Sequence, residues 1–202
     1  MFDRRAIALL RPALVGIARA LRRRGVHADH VTLTGFAIGV AAAAAIGLRA
    51  YLVGLVLLLA SRLADGIDGA LARLTAPTER GGFLDITLDF LFYAGIPLGF
   101  AVADPGANAL PAAVLLAAFI GTATTFLAFA AHAAARGLKS VAYPDKGIYY
   151  LGGLTEATET IVCFALMCLW PEHFAWWAYG FAALCALTIA TRLWAGWRAL
   201  SP

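Results

Sequence analysis

Six stretches of this chain are apolar over roughly the 20 residues that a helix needs to cross a bilayer. They lie at about 28–48, 51–74, 81–103, 109–135, 147–170 and 173–197. Hydrocarbon offers backbone N–H and C=O groups no partners, so a spanning segment must satisfy them internally, as a helix does. Of the 202 residues 62% are hydrophobic and 14% charged, against about 25% charged residues in a soluble domain. The sequence therefore predicts one all-α integral membrane domain over residues 1–202, with six transmembrane helices. Short connections at Arg49-Ala50, Ala76-Pro77-Thr78, Asp104-Pro105-Gly106 and Trp170-Pro171-Glu172 carry turn residues.

Residues 3–24 precede the first span. Ile7, Leu10, Leu14, Ile17 and Leu21 fall on one helical stripe, with Arg4, Arg11, Arg19, Arg22 and Arg23 broadly opposite. That pattern predicts an amphipathic helix lying in the membrane interface. A cleaved leader fits poorly, because Arg11-Pro12 cuts the apolar stretch short and Arg22-Arg23-Arg24 is wrong for a cleavage site. The N-terminal segment holds seven arginines, and the second and fourth connections add Arg73, Arg80, Arg136, Lys139 and Lys146. The first connection has Arg49, and the third and fifth have no Lys or Arg. The positive-inside rule then puts both termini in the cytoplasm. The basic cluster does not suggest nucleic acid, since no soluble recognition module follows it. Cys163, Cys168 and Cys185 sit in apolar runs without metal-ligand spacing and read as small core residues.

Within this apolar framework, Asp65, Asp68, Asp85 and Asp89 stand out. The first two are spaced i, i+3 and the others i, i+4, so on helices each pair shares a face, about 60° and 40° apart. Asp65 lies about 21 Å along a helix beginning at Tyr51, at 1.5 Å per residue. That depth is near the end where the next helix starts with Asp85 and Asp89, so an antiparallel hairpin brings the pairs together on the cytoplasmic side. Carboxylates at membrane depth need a partner, water or a cation. Their hard oxygens suit Mg²⁺, Mn²⁺ or Ca²⁺ rather than zinc. Pairing with Arg62, Arg73 and Arg80 and an ion route through a small transporter are the competing readings. Gly69, Gly81 and Gly82 flank the acidic pairs and leave room for close approach of a ligand.

Asp65, Asp68, Gly69, Ala72, Arg73, Gly81, Asp85 and Asp89 together resemble the signature of the CDP-alcohol phosphatidyltransferase family, DxxDGxxAR followed by GxxxDxxxD. Here seven residues separate Arg73 from Gly81, one fewer than is usual in the family; the difference falls in the connection and predicts a tighter turn. Upstream, Ala28-Asp29-His30-Val31-Thr32 departs from the family's usual Pro-Asn but keeps the threonine. The resemblance implies that the four aspartates hold two divalent cations, Mg²⁺ or Mn²⁺. It further implies that Asp89 acts as general base, and that Thr32, Gly69, Ala72, Arg73 and Gly81 contact the CDP moiety. It implies transfer of a phosphatidyl group from CDP-diacylglycerol to a small alcohol, with release of CMP, in phospholipid synthesis. Such a protein is expected as a homodimer in a bacterial-type inner membrane, its site facing the cytoplasm.

The acceptor is not written in the signature. Glycerol 3-phosphate is the first expectation, ahead of inositol or its phosphate, serine and an amino alcohol. Tyr149, Gly152, Gly153, Glu156, Glu159 and Thr160 are expected on one face of the fifth span. Glu156 and Glu159 are placed to bind acceptor hydroxyls or an amine, or to pair with Arg192; Lys146 and Arg192 suit an acceptor phosphate. Nearby His132 reads as an interfacial polar residue. Trp170, Trp176, Trp177, Trp194 and Trp197 near helix ends read as an aromatic belt.

Overall fold

The structure, a computed structural model, describes residues 2–137 and 153–201, with side chains from residue 11 onward. The described residues are helical almost throughout and contain no strand. The elements are α1 (Phe2–Arg23), α2 (Ala28–Gly47), α3 (Tyr51–Thr75), α4 (Glu79–Ala103), α5 (Pro105–Ala135), α6 (Ala157–Leu169) and α7 (Phe174–Leu200). A 3₁₀ turn, Pro171–His173, leads into α7.

The amphipathic N-terminal segment forms α1. Leu14, Ala18 and Leu21 turn onto Ala70 and Leu71 of α3, while Arg11, Arg19, Arg22 and Arg23 are exposed. The contact is close because α3 has no side chain at Gly66, where a Cβ would stand 3.1 Å from Leu14 Cδ1. Gly25, at φ +74°, takes the left-handed conformation that turns the chain from α1 into α2.

Small residues set the packing of α2, α3 and α4, as expected where lipid gives helices no hydrophobic reason to associate. A Cβ on Gly39 of α2 would lie 2.6 Å from Phe92 of α4 and 3.0 Å from the Ser61 hydroxyl of α3. Both helices therefore settle against bare α2 backbone. At the opposite end, Arg49 is more than a topological charge. It adopts φ +63° and its Nε donates to the Ala103 carbonyl at 2.9 Å, capping the end of α4. The buried core is aromatic: Phe100 stacks on Phe174 at 4.6 Å and on Tyr51 at 5.7 Å. Cys163, Cys168 and Cys185 are buried free thiols, as their apolar setting suggests.

Three residues, Ala76, Pro77 and Thr78, connect α3 to α4. Proline disfavours helical conformation in the residue before it, and Ala76 leaves the helix at φ +126°. The Thr78 hydroxyl then accepts the Gly81 N–H at 3.0 Å and starts α4. The shortened spacer is taken up here, so the spacing within each helix is untouched.

Among the described residues, four helical stretches are long and apolar enough to cross a membrane: α2, α4, α5 and Pro171–Leu200. Arg62, Asp65 and Asp68 give α3 more charge than such a span ordinarily carries, and those charges belong to the candidate site. The fourth span begins earlier than residue 109, because Asp104 caps the Ala107 N–H at 3.1 Å and Pro105 occupies the first turn.

The fifth span differs from the expected 147–170. Its described helix begins only at Ala157 and has 13 residues, about 20 Å at 1.5 Å per residue, short of a hydrocarbon core of about 30 Å. Residues 147–152, including Tyr149 and Gly152, lie outside the described residues. Gly153, Leu154, Thr155 and Glu156 are not helical, so the expected single helical face does not extend over them. The cause is local: the Glu159 carboxylate accepts the Glu156 N–H at 3.2 Å and the Glu156 carboxylate accepts the Gly153 N–H at 3.3 Å. These bonds satisfy backbone donors at a helix start.

Candidate active site

The last turns of α3 carry Asp65 and Asp68, and the opening turns of α4 carry Asp85 and Asp89. One carboxylate oxygen from each of Asp65, Asp68 and Asp85 lies within 4.8 Å of the other two. At that separation, like charges repel by about 3–4 kcal/mol per pair for an effective dielectric near 20. Asp65 and Asp89 share one arginine, Arg62. Asp68 is buried at 4% exposure, and its Oδ2 atom has no hydrogen-bond partner among the described residues. A buried acceptor left open beside two other carboxylates fits a hard divalent cation, which supplies the missing positive charge.

Asp89 lines the same cleft, one turn beyond Asp85, together with Thr32, Ser61 and Arg62. Its Oδ1 forms an ion pair with Arg62 Nη1. The same nitrogen is 3.7 Å from Asp65. The guanidinium carbon lies 3.7 Å from the centre of the Phe92 ring. Arg62, which the sequence offers as a partner for the aspartates, thus lines the cleft and pairs with two of them, although it stands outside the signature positions.

The other expected arginines go elsewhere. Arg80 pairs with Asp29 at 2.5 Å, joining the starts of α4 and α2. Asp29, which stands outside the usual family pattern, therefore has a structural partner. Arg73 is exposed, and its guanidinium lies against Gly69, where a Cβ would be 3.4 Å from Nη1. Ala72 is half-buried one residue before it. At Gly81 a Cβ would meet the Thr78 hydroxyl at 3.0 Å and Asp29 Oδ1 at 3.3 Å. The Thr32 hydroxyl donates to the Ala28 carbonyl at 3.1 Å while the residue lines the acidic cleft.

Glu156, Glu159 and Arg192 form a second polar group, at the junction of α5, the start of α6, and α7. Arg192 is 8% exposed, and its Nη1 donates to the Thr122 carbonyl at 3.1 Å. A Cβ on Gly153 would stand 3.2 Å from Arg192 Nη2. None of the three lines the acidic cleft among the described residues. Lys146 lies outside the described residues.

The described residues thus form a helix bundle with several segments long and apolar enough to cross a membrane, and two adjacent helices bring a carboxylate cluster together within it. The chain belongs to the CDP-alcohol phosphatidyltransferase family, whose model matches residues 25–194. It is therefore an enzyme of the phosphatidyltransferase class. It is 52% identical over 200 residues to the inner membrane protein YnjF of Escherichia coli, covering 99% of this chain and 97% of that one. It is 47% identical over 70 residues to an archaetidylinositol phosphate synthase of Methanothermobacter thermautotrophicus, covering 34% of this chain and 36% of that one. The fold resembles that of the phosphatidylinositol phosphate synthase PgsA1 of Mycobacterium tuberculosis. The crystal structure of PgsA1 with manganese and citrate superposes with a TM-score of 0.72 at 23% identity, covering 91% of this chain and 88% of that one. The structure with CDP-DAG bound gives 0.69 at 23% identity, covering 91% and 93%. Family membership sets aside the transporter reading of the carboxylates.

Proposed function

We propose that this protein transfers a phosphatidyl group from CDP-diacylglycerol to inositol phosphate and releases CMP. The observation that carries the reaction type is the convergence of Asp65, Asp68 and Asp85 in a chain of this family. The acceptor reading moves from glycerol 3-phosphate to inositol phosphate. It does so because the relatives that name a product, the archaetidylinositol phosphate and phosphatidylinositol phosphate synthases, name one containing inositol phosphate.

In this reading Asp65, Asp68, Asp85 and Asp89 hold two ions of Mg²⁺ or Mn²⁺. Such ions, when bound, neutralise the donor diphosphate and stabilise the departing phosphate of CMP. Asp89 accepts the proton of the acceptor hydroxyl as that oxygen bonds to the lipid-side phosphorus and the P–O bond to CMP breaks. Thr32, Gly69, Ala72, Arg73 and Gly81 contact the CDP moiety; the bare backbone at Gly69 and the exposed Arg73 guanidinium beside it suit a diphosphate. Arg192 and Lys146 take the acceptor's phosphate, and Glu156 and Glu159 its hydroxyls.

The same reading places the chain in a bacterial-type inner membrane as a homodimer. It has six crossings, α1 in the interface, and both termini and the cleft on the cytoplasmic side. The exposed arginines of α1 and the inner-membrane relative support this placement. The test is CMP release from CDP-diacylglycerol with Mg²⁺, run against inositol phosphate, inositol, glycerol 3-phosphate, serine and an amino alcohol. Inositol phosphate should be the preferred acceptor. Preference for another alcohol would overturn the acceptor, and absence of release with every alcohol would overturn the reaction.

A further inference from the structure

We propose that Arg62 is a positioning residue for Asp89, holding its carboxylate in the orientation that phosphatidyl transfer needs. This rests on the role given to Asp89 above. The inference starts from how Arg62 is held. Its side chain is only 10% exposed, against 34% for Asp89. Nη1 pairs with Asp89 Oδ1, while Nη2 donates to the Ser61 hydroxyl at 3.3 Å. Ser61 in turn donates to the Gly35 carbonyl at 2.8 Å. The flat face of the guanidinium rests on Phe92, 3.7 Å from the ring centre, where charge and π-face attract. Asp89 and Phe92 are three residues apart on α4, so one face of that helix holds the guanidinium between a carboxylate and a ring.

The result is a brace across three helices: the α2 backbone at Gly35, then Ser61 and Arg62 of α3, then Asp89 and Phe92 of α4. A lone carboxylate on an exposed helix turn samples several rotamers, whereas one bonded to a planar, doubly anchored guanidinium does not. Buried ion pairs seldom add net stability over apolar residues of similar size. The brace is therefore better explained by the geometry it imposes than by the energy it contributes. Nη1 is also 3.7 Å from Asp65, so Arg62 ties Asp89 to one member of the carboxylate cluster. Arg62 is not one of the eight signature positions.

The experiment compares full-length wild type, Arg62→Met, Arg62→Lys, Asp89→Asn and the Arg62→Met/Asp89→Asn double variant in lipid nanodiscs. Turnover and KM are taken from CMP release, Mn²⁺ affinity from electron paramagnetic resonance, and melting temperature from a thermal scan. Arg62→Met should lower kcat about 100-fold, the loss typical of a misplaced catalytic group. KM for CDP-diacylglycerol should stay within about threefold, and Mn²⁺ affinity should fall far less than kcat, because Asp65, Asp68 and Asp85 still converge when Asp89 is no longer held. Arg62→Lys should recover about tenfold, since an ammonium pairs with Asp89 but lacks the planar fork. In the Asp89→Asn background, Arg62→Met should cost less than about twofold, because the two residues act as one unit. Wild-type kcat in Arg62→Met, loss of Mn²⁺ affinity in step with kcat, or a full penalty in the double variant would each overturn the proposal. A wild-type protein that releases no CMP would instead overturn the reaction. The brace is then read from melting temperatures: non-additive shifts for the Arg62 and Asp89 changes support it, and additive shifts overturn it.

Discussion

At the scale of single residues, Asp68 has the most demanding position: it is buried, with an oxygen that meets no donor among the described residues. Replacing it with asparagine removes one charge from the cluster and leaves the shape nearly unchanged. Asp68→Asn should weaken Mn²⁺ binding by at least about tenfold, of the order seen when a ligand or its support is lost from a metal site; titration calorimetry checks this. Asp89→Asn should lower turnover by about 10²–10⁴-fold, the usual contribution of a general base, while CDP-diacylglycerol still binds. Turnover at the wild-type level would remove Asp89 from the base role. The four aspartates were legible from spacing alone, because the helical repeat fixes which residues share a face. The Arg62–Asp89 pairing was not. It depends on a rotamer set by Phe92, a residue whose place beside α3 follows only from helix packing.

At the scale of elements, the α3–α4 hairpin is the unit that matters, and two contacts hold its geometry. Thr78 caps α4 through the Gly81 N–H, so Thr78→Ala should cost about 1 kcal/mol of stability, read as a lower melting temperature. Gly39 admits Phe92 against α2. Gly39→Val would overpack that contact, and should cost about 1–3 kcal/mol while also lowering turnover, since Phe92 supports Arg62. Unchanged stability in Gly39→Val would show that α4 can shift without loss. The elements themselves followed from apolar run lengths, with α2 and α3 ending within a residue or so of expectation. The exception was α6. Its apolar run continues back through Gly152-Gly153-Leu154, and hydropathy cannot distinguish that from a span. The helix start at Ala157 depends on Glu156 and Glu159 taking backbone N–H groups, an interaction for which apolar periodicity carries no signal.

At the scale of the whole molecule, a helix bundle delivers charge to one place inside an apolar protein, and a cation is the natural counterpart of that charge. Chelation of divalent ions should abolish CMP release, and Mg²⁺ or Mn²⁺ should restore it; activity that survives chelation would exclude the metal role of the cluster. The second polar group, around Glu156 and Arg192, stands apart from the acidic cleft among the described residues.

Sequence alone determined that the chain is an all-helical bundle with membrane-length segments, that its four aspartates share a helical hairpin, and that the hairpin carries a phosphatidyltransferase signature. The first two rest on local periodicity and on hydropathy, which neighbouring residues express by themselves; the third rests on resemblance to a known family. Tertiary structure decided which carboxylates meet. Asp65, Asp68 and Asp85 form the cluster and Asp89 is held by Arg62, because the glycines of α2 let α3 and α4 approach closely enough for Phe92 to seat the guanidinium. It also assigned Arg80 to Asp29 and made Glu156 and Glu159 a helix start. These partnerships form between residues far apart in the chain, and only the packed bundle brings their side chains within a few ångströms.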